Sequence, residues 1–300
     1  MWAIILVTSI IALFLSLLMI LSYLIWWLYW ITLLIFLLLL LLLLLLWKPN
    51  ARTEFRKTLL IKYLVSVVNI DIVKYPQKNI INSSDSLCVY AFHPHGYLSI
   101  AQMILFVFGK ENTILTQKAS NSVSLVSSVL LLIPIIGHFS RVLGCESVSK
   151  NNFIRHLKLK EKNIVLSPGG TREIMHIQES KGSNITLIKR KGFLELVYNY
   201  KWCVVPILVV GESSCHNFYW SGNKIQQWMQ NTVLSYPLPV IAFGRYFSFW
   251  PKKNHDIKIY IGKQINSKKY NTKRKFIKDY YASIIALGKQ NNIYVKLIPK

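Results

Sequence analysis

The stretch Leu87-Cys-Val-Tyr-Ala-Phe-His-Pro-His-Gly-Tyr-Leu-Ser99 decides how the rest of the chain reads. Its first half, 87–92, is a short apolar run with β-branched and aromatic residues, the pattern of a buried strand. The run stops at His93-Pro94-His95-Gly96. Pro94 fixes its own φ and Gly96 admits backbone geometry that other residues resist, so two imidazoles sit on a stiff turn. In open α/β sheets, ligands bind just beyond the carboxyl ends of strands. An imidazole there has the right ordinary pKa to act as a general base near neutral pH. The other reading is a turn whose histidines satisfy local hydrogen bonds. Zinc needs more ligands than His-x-His, and no acid or cysteine follows at helical metal spacing, so no metal is expected.

The surrounding composition sets limits. The chain has 300 residues, room for one large domain and an appendage. Its 36 Lys and Arg against 12 Asp and Glu give a formal charge of +24, which favours an anionic partner: nucleic acid, an acidic membrane surface or a phosphorylated substrate. Residues 251–300 alone hold thirteen Lys and Arg against two acids, a solvated or membrane-facing surface. Cys88, Cys145, Cys203 and Cys215 show no paired spacing and read as reduced core residues.

Residues 1–47 carry no charged side chain. The block is more than twice the roughly 20 residues one crossing needs, too long for a signal peptide, and without a basic leading region or small-residue cleavage site. Tyr23, Trp26, Trp27, Tyr29 and Trp30 divide it, and such residues prefer the membrane–water interface. The expectation is a transmembrane hairpin: helices over 2–22 and 31–47 joined by a turn at 23–30. One crossing with an interfacial helix, or a re-entrant wedge, is the alternative. Lys48, Arg52, Arg56 and Lys57 follow at once and by the positive-inside rule stay cytosolic. Residues 48–80 mix basic and apolar residues as a basic amphipathic connector would, leaving 81–300 as the main domain.

Within that domain, 99–108 is expected to be a helix leaving the histidine turn. The apolar region 123–136, short for a span, reads as a buried or membrane-dipping helix. Residues 151–162 read as a basic surface helix. Asn163-Ile-Val-Leu166 is a second short strand, and it too ends in a turn, Ser167-Pro-Gly-Gly-Thr-Arg-Glu173. Two glycines let backbone N–H groups approach a ligand closely; a Glu in a first helical turn is otherwise commonplace. Residues 203–212 are the clearest buried strand and 256–261 another, while Ile277, Tyr280, Ile284 and Leu287 share one helical face. Strands alternating with helical patterns imply an α/β domain, a largely parallel sheet flanked by helices.

Several stretches, in order, resemble the type 2 diacylglycerol acyltransferase family, which includes monoacylglycerol acyltransferases and some wax-ester synthases. They are His93-Pro94-His95-Gly96, Pro168-Gly169-Gly170 with Glu173, Arg190-Lys191-Gly192-Phe193, Val205-Pro206 followed by Gly211-Glu212, and Phe243-Gly244-Arg245. Tyr75-Pro76 resembles the end of a Tyr-Phe-Pro block without its Phe, and Gly262-Lys263-Gln264-Ile265 stands where the family usually has Gly-x-Pro-Ile. The likeness covers nearly all of 1–290.

The resemblance implies a glycerolipid-acyltransferase-like domain that moves a fatty acyl group from acyl-coenzyme A, as co-substrate and without a cofactor, to a lipid hydroxyl. Diacylglycerol is the first choice of acceptor, with monoacylglycerol and long-chain alcohols behind it. It also implies an endoplasmic reticulum membrane with the catalytic domain facing the cytosol, and movement to lipid droplets. Related glycerolipid acyltransferases pair a His with an Asp five positions later; here those positions are Leu98 and Ile100. The orienting acid must come from elsewhere, and Glu173 is the best candidate. The expected site is therefore His95 as base, Glu173 as its orienting carboxylate and His93 in a structural or secondary role. Gly96, Gly169 and Gly170 are the expected backbone donors, and Arg190, Lys191 and Arg245 the expected contacts to coenzyme A phosphates. A serine hydrolase is excluded by the lack of a Gly-x-Ser-x-Gly elbow. A nucleic-acid binder does not explain the charge-free block. A membrane-shaping hairpin protein with a degenerate domain is the non-enzymatic rival.

Overall fold

The computed structural model describes residues 2–46, 69–74, 87–103, 105, 122–177, 180, 182–220, 241–245, 251–252 and 256–299. The chain divides into two units, Met1–Lys48 and Pro49–Lys300.

The first unit is one helix, α1 (Trp2–Leu46). The hairpin expected from the aromatic cluster is not formed: the helix runs unbroken through 23–30. The physical reason is local. Residues 2–46 contain no Gly, Pro, Asn or Asp to end a helix, and the aromatic side chains stack along its surface, Tyr23 on Trp26 with ring centroids 6.2 Å apart. The hydroxyls of Ser16, Ser22 and Thr32 donate to carbonyls three residues back, each at 2.8 Å, so these polar groups are satisfied within the helix. The stretch Leu6–Leu42 is long and apolar enough to cross a membrane.

The second unit is an α/β domain. In chain order its elements are β1 (Asn69–Lys74), β2 (Cys88–His93), α2 (Ile100–Gln102), β3 (Ser122–Val126), α3 (Ser128–Leu132), α4 (Pro134–Val142), β4 (Cys145–Ser147), α5 (Lys150–Leu159), β5 (Asn163–Leu166), α6 (Thr171–Met175), β6 (Asn184–Ile188), α7 (Gly192–Asn199), β7 (Cys203–Val210), β8 (Asn217–Trp220), β9 (Ile241–Phe243), β10 (Asp256–Ile261), β11 (Ile265–Asn266), α8 (Lys273–Gln290) and β12 (Tyr294–Ile298). The main sheet has the order β1-β10-β7-β2-β5-β3-β4, with β11 also paired to β7. Strands β7, β2, β5, β3 and β4 are mutually parallel; β10 joins β7 antiparallel. Strands β6 and β12 form a separate parallel pair, and β8 and β9 an antiparallel one.

Strand β2 lies at the centre, and every residue of it is buried. Alternation sends Tyr90 and Phe92 to a layer with Ile207, Ile257, Ile259 and Ile100. Val89 and Ala91 point to the opposite layer, where Phe276, Tyr280, Ile284 and Leu287 of α8 meet Leu194 and Val197 of α7. A sheet covered on both faces is the condition under which parallel strands are stable. The four cysteines are buried and form no disulfide.

Three sequence expectations change. The apolar region 123–136 begins as strand β3 and continues as two short helices, because Ser122-Val-Ser-Leu-Val126 alternates with a period of two. The helix after the histidine turn, expected over 99–108, is described only as the short α2; residues 104 and 106–108 lie outside the described residues. The connector 48–80 contains a strand, β1, where Ile70, Ile72 and Val73 favour extended chain; the rest of it, with Tyr75-Pro76, lies outside the described residues.

A distance measurement tests the unbroken helix. With spin labels on Leu6→Cys and Leu42→Cys, a continuous helix puts the backbones about 54 Å apart at 1.5 Å per residue. A separation of about 10–20 Å, the spacing of packed helices with their labels, would restore the hairpin.

Candidate active site

Strand order decides which loops meet. Because β2 lies between β5 and β7 in parallel register, with Ala91 opposite Leu166 and His93 opposite Leu208, the segments leaving all three strands emerge at one edge. His93-Pro94-His95-Gly96, Pro168-Gly169-Gly170 and Gly211-Glu212 are therefore neighbours, although His95 and Glu173 are 78 residues apart in sequence.

Glu173, in the first turn of α6, is 2% exposed. Its Oε2 accepts the backbone N–H of His95 at 2.8 Å, and its Oε1 accepts the backbone N–H of Ile188 at 2.9 Å. The carboxylate thus joins the histidine turn to the end of β6. It does reach His95, but through the main chain, not through the ring. The expected carboxylate–imidazole hydrogen bond is replaced by an internal one: the His95 Nδ1 lies 2.7 Å from the carbonyl oxygen of Gly96. A carbonyl can only accept, so Nδ1 carries the proton and the lone pair falls on Nε2. The Ser99 hydroxyl donates to the His95 carbonyl at 2.7 Å and closes the turn. Burial holds the His95 imidazole below its ordinary pKa, against the opposing pull of the Gly96 carbonyl and the Glu173 charge. The shift favours the neutral ring.

Glu212 was quoted in the sequence only as part of a motif, and the structure gives it an equal part. It is 3% exposed, and its Oε1 accepts the backbone N–H of Ile100 at 2.5 Å, across 112 residues. Desolvation pushes its carboxyl up to about 8, despite the amides of Ile100 and Ala101 that favour the charge. Two buried glutamate side chains therefore grip the two ends of the segment 95–100.

The glycines make room for them. A Cβ on Gly96 would fall on the Glu212 carboxyl, and a Cβ on Gly169 on that of Glu173. Gly96 also has φ +61, a conformation that favours glycine. Gly170 donates its N–H to the Ser167 carbonyl at 3.3 Å, so its amide serves the turn.

His93 is fully buried at the end of β2. Its Nε2 lies 2.9 Å from the hydroxyl of Tyr280 on α8, and its Nδ1 lies 3.9 Å from Glu173 Oε1. Burial first, then Tyr281 and Glu173, raise the Tyr280 hydroxyl well above its ordinary range, so it remains a protonated partner. Tyr280 was legible in the sequence only as one residue of an apolar helical face; nothing local to it signals a histidine 187 residues away.

Of the expected phosphate contacts, Arg190 is hydrogen-bonded to the Pro-Gly-Gly turn at this edge. Its Nη2 donates to the Gly169 carbonyl at 3.3 Å, its Nε is buried with no hydrogen-bond partner among the described residues, and its backbone carbonyl accepts from Tyr281 at 3.0 Å. Burial and the nearby Arg172 both work against its charge, with Glu173 opposing them. Lys191 is exposed at the start of α7, and Arg245 follows β9 on the smaller sheet. Arg172, half-buried beside Arg190, was not singled out in the sequence. Among the described residues no group of His, Cys, Asp and Glu could hold a metal ion.

The two carboxylates differ in a measurable way. Glu173 accepts two backbone N–H groups on different oxygens, and a carboxamide can accept only one. Glu173→Gln is expected to cost about 1–3 kcal/mol of stability in thermal unfolding, the penalty of a buried unpaired donor. Glu212, with its pKa raised from 4.5 to about 8, binds its proton more tightly folded than unfolded. Its stabilising effect is complete below about pH 4.5 and is lost as pH rises through about 8. Glu212→Gln is expected to flatten that decline, so that the melting temperatures of variant and parent converge at low pH and differ in slope between pH 6 and 8.

The comparisons with known proteins follow the same outline. The family model described as "Diacylglycerol acyltransferase" matches residues 21–286. Among curated proteins, the chain is similar to diacylglycerol O-acyltransferase 1 of Eremothecium gossypii, 29% identical over 150 residues, 47% of this chain and 32% of that protein. It is similar to diacylglycerol O-acyltransferase 1 of Saccharomyces cerevisiae, 26% identical over 54% of this chain and 39% of that protein. It is also similar to diacylglycerol O-acyltransferase 2B of Umbelopsis ramanniana, 27% identical over 59% of this chain and 53% of that protein. These matches span about a third to a half of the relatives' own length. Among solved structures, the 1-acyl-sn-glycerophosphate acyltransferase PlsC of Thermotoga maritima aligns with a TM-score of 0.46 at 15% identity, covering 82% of this chain and 86% of that one. With its ordered motifs gathered at one sheet edge and the family model matched along most of its length, the chain belongs to the diacylglycerol acyltransferase family.

Proposed function

We propose that the protein transfers a fatty acyl group from acyl-coenzyme A to the free hydroxyl of diacylglycerol, with His95 as general base. The observation that carries this reading is the 2.7 Å contact from His95 Nδ1 to the Gly96 carbonyl, which leaves an unprotonated Nε2 on a rigid turn. Family membership supports the substrates.

In this reaction the Nε2 lone pair takes the acceptor's hydroxyl proton while the oxygen attacks the thioester carbonyl carbon. The tetrahedral intermediate collapses, the C–S bond breaks, and the imidazolium returns the proton to the departing thiolate. The products are the new ester and coenzyme A. The Gly96 carbonyl stabilises the imidazolium that forms, in the place where a carboxylate would serve in a triad. Glu173 and Glu212 act as positioning residues by holding the backbone on either side of the ring. His93, tied to Tyr280, is structural. The backbone amides of Gly96 and Gly169 are the assigned donors for the oxyanion; Gly170 is a weaker choice because its amide is engaged in its turn. Arg190, with Arg172, is the assigned cationic contact to the acyl donor, and Lys191 and Arg245 are secondary.

The globular unit is assigned to the cytosolic side of a membrane, that of the endoplasmic reticulum, from the basic residues Lys48, Arg52, Arg56 and Lys57 after α1. No cofactor is assigned.

The test is an acyl-transfer assay on membranes carrying the protein, with labelled oleoyl-coenzyme A and diacylglycerol, monoacylglycerol or hexadecanol supplied separately. Triacylglycerol is the expected product, and His95→Ala is expected to reduce it at least about a hundredfold, the lower end of general-base effects. Label in another ester would move the acceptor within the family. Lack of product from every acceptor, with membrane insertion intact, would favour a membrane-shaping protein.

The pH profile is a second check. Because burial lowers the His95 pKa from 6.5, the acid limb of turnover, where the ring gains a proton, is expected to be centred below pH 6.5. An acid limb centred above 6.5 would remove His95 as the base.

A further inference from the structure

Exposed apolar side chains on the globular unit are not scattered. Among the described residues ten large ones are exposed, and seven of them lie at the edge where the parallel strands end. Val129 (50% exposed), Leu132 (77%) and Ile133 (45%) follow β3, in and just after α3. Val148 follows β4, and Leu98 belongs to the histidine turn after β2. Tyr219 and Phe243 belong to the β8–β9 pair that follows β7, and their rings lie 5.7 Å apart. That pair is fastened to the histidine turn: the rings of Tyr97 and Phe218 are 5.8 Å apart, edge to face. The parallel register of β7, β2, β5, β3 and β4 makes the segments that follow these strands leave at the same end of the sheet as His95.

An exposed apolar surface beside a catalytic group calls for an occupant. Charge and context choose it. Cations stand beside the apolar residues: Arg141, which donates to the Leu131 carbonyl at 2.8 Å, Lys150 two residues after Val148, and Lys252, which donates to Asn217 at the start of β8 at 2.6 Å. Glu146, next to Ser147 in β4 and near Val148, is already paired with Arg155 and His156. Apolar tips with cationic neighbours are the pattern of an interfacial surface on an anionic leaflet. The same chain carries α1, 45 residues of exposed apolar helix, so a bilayer is its surroundings.

We infer that the catalytic edge of the globular unit, from the Leu132–Ile133 corner across Leu98 to Tyr219 and Phe243, sits in the headgroup–acyl boundary of a bilayer. The apolar side chains enter the lipid and the cations remain with the headgroups. A lipid alcohol dissolved in that leaflet then reaches His95 sideways along the edge, without crossing water. The insertion itself stands on fold and exposure alone; only this delivery role rests on the acyl-transfer reading.

The experiment uses the full chain in phosphatidylcholine–phosphatidylserine vesicles. Environment-sensitive labels are placed on Leu132→Cys, on Tyr219→Cys and, as a control away from the edge, on Ile285→Cys, which is 44% exposed on α8. The native cysteines are buried. Labels at 132 and 219 are expected to be quenched by lipids brominated on their acyl chains and shielded from aqueous iodide, and the label at 285 the reverse. Equal iodide quenching at 132 and 285 would overturn the inference. So would shielding at 132 from both quenchers with a cross-linked dimer, which would give the surface to a second copy. Leu132→Asp, still carrying α1, is expected to reduce turnover of a bilayer-dissolved acceptor about tenfold, as loss of one lipid-buried leucine implies, while leaving a water-soluble short-chain acceptor within about twofold. If the labels insert and no acceptor turns over, the surface stands and the proposed reaction falls.

Discussion

Two buried glutamate side chains bonded to backbone amides organise this domain. Glu173 holds the N–H of His95 and Glu212 holds the N–H of Ile100, so the segment between them is fixed at both ends by hydrogen bonds to buried glutamate side chains. Neither acid touches the His95 ring. Each acts on the main chain, and the ring inherits its position from the turn. The strand order makes this arrangement available: β2 has β5 on one side and β7 on the other, and the segment after each neighbour delivers one glutamate, Glu173 in α6 and Glu212 two residues past β7.

The glycines follow from the carboxylates. Gly96 and Gly169 read in the sequence as places where backbone approaches a ligand; in the fold, the nearest thing each approaches is a glutamate side chain of its own chain. A methyl group at either position would displace the acid that fixes the turn. The motif pairing of Pro-Gly-Gly with Glu173, and of His-Pro-His-Gly with Gly-Glu, is thereby a packing statement as much as a chemical one. The Gly96 carbonyl, and not a carboxylate, fixes the tautomer of the His95 ring without adding a charge.

The apolar surfaces of the two units arise differently. In α1 they are a matter of composition: the stretch is almost wholly apolar, Ser16, Ser22 and Thr32 bond to their own helix, and an irregular backbone would leave amides unpaired in lipid. In the α/β domain they are a matter of topology, because Leu98, Leu132 and Tyr219 belong to three separate segments that only the parallel sheet aligns.

Local pattern sufficed for much of the fold. Strands β2, β5, β7 and β10, helices α5 and α8, the reduced cysteines and the two strand-to-turn motifs were all readable, because burial and turn chemistry leave a short-range signature in residue type. It failed where a signal was ambiguous by nature. Aromatics at 23–30 suit an interface as well as a helix surface, and the run 123–136 is apolar enough to hide the alternation that makes β3. Strands β6 and β12 went unread because partners far apart in sequence define them. For the site, the sequence alone determined that His95 and Glu173 belong together with a Gly-rich turn. Only the tertiary structure decided how: that the carboxylate grips an amide and not the imidazole, that Glu212 grips the other end, that Tyr280 holds His93, and that Arg172 joins Arg190. Those are contacts between residues tens to nearly two hundred positions apart, set by strand order and side-chain reach, which residue types in linear sequence do not encode.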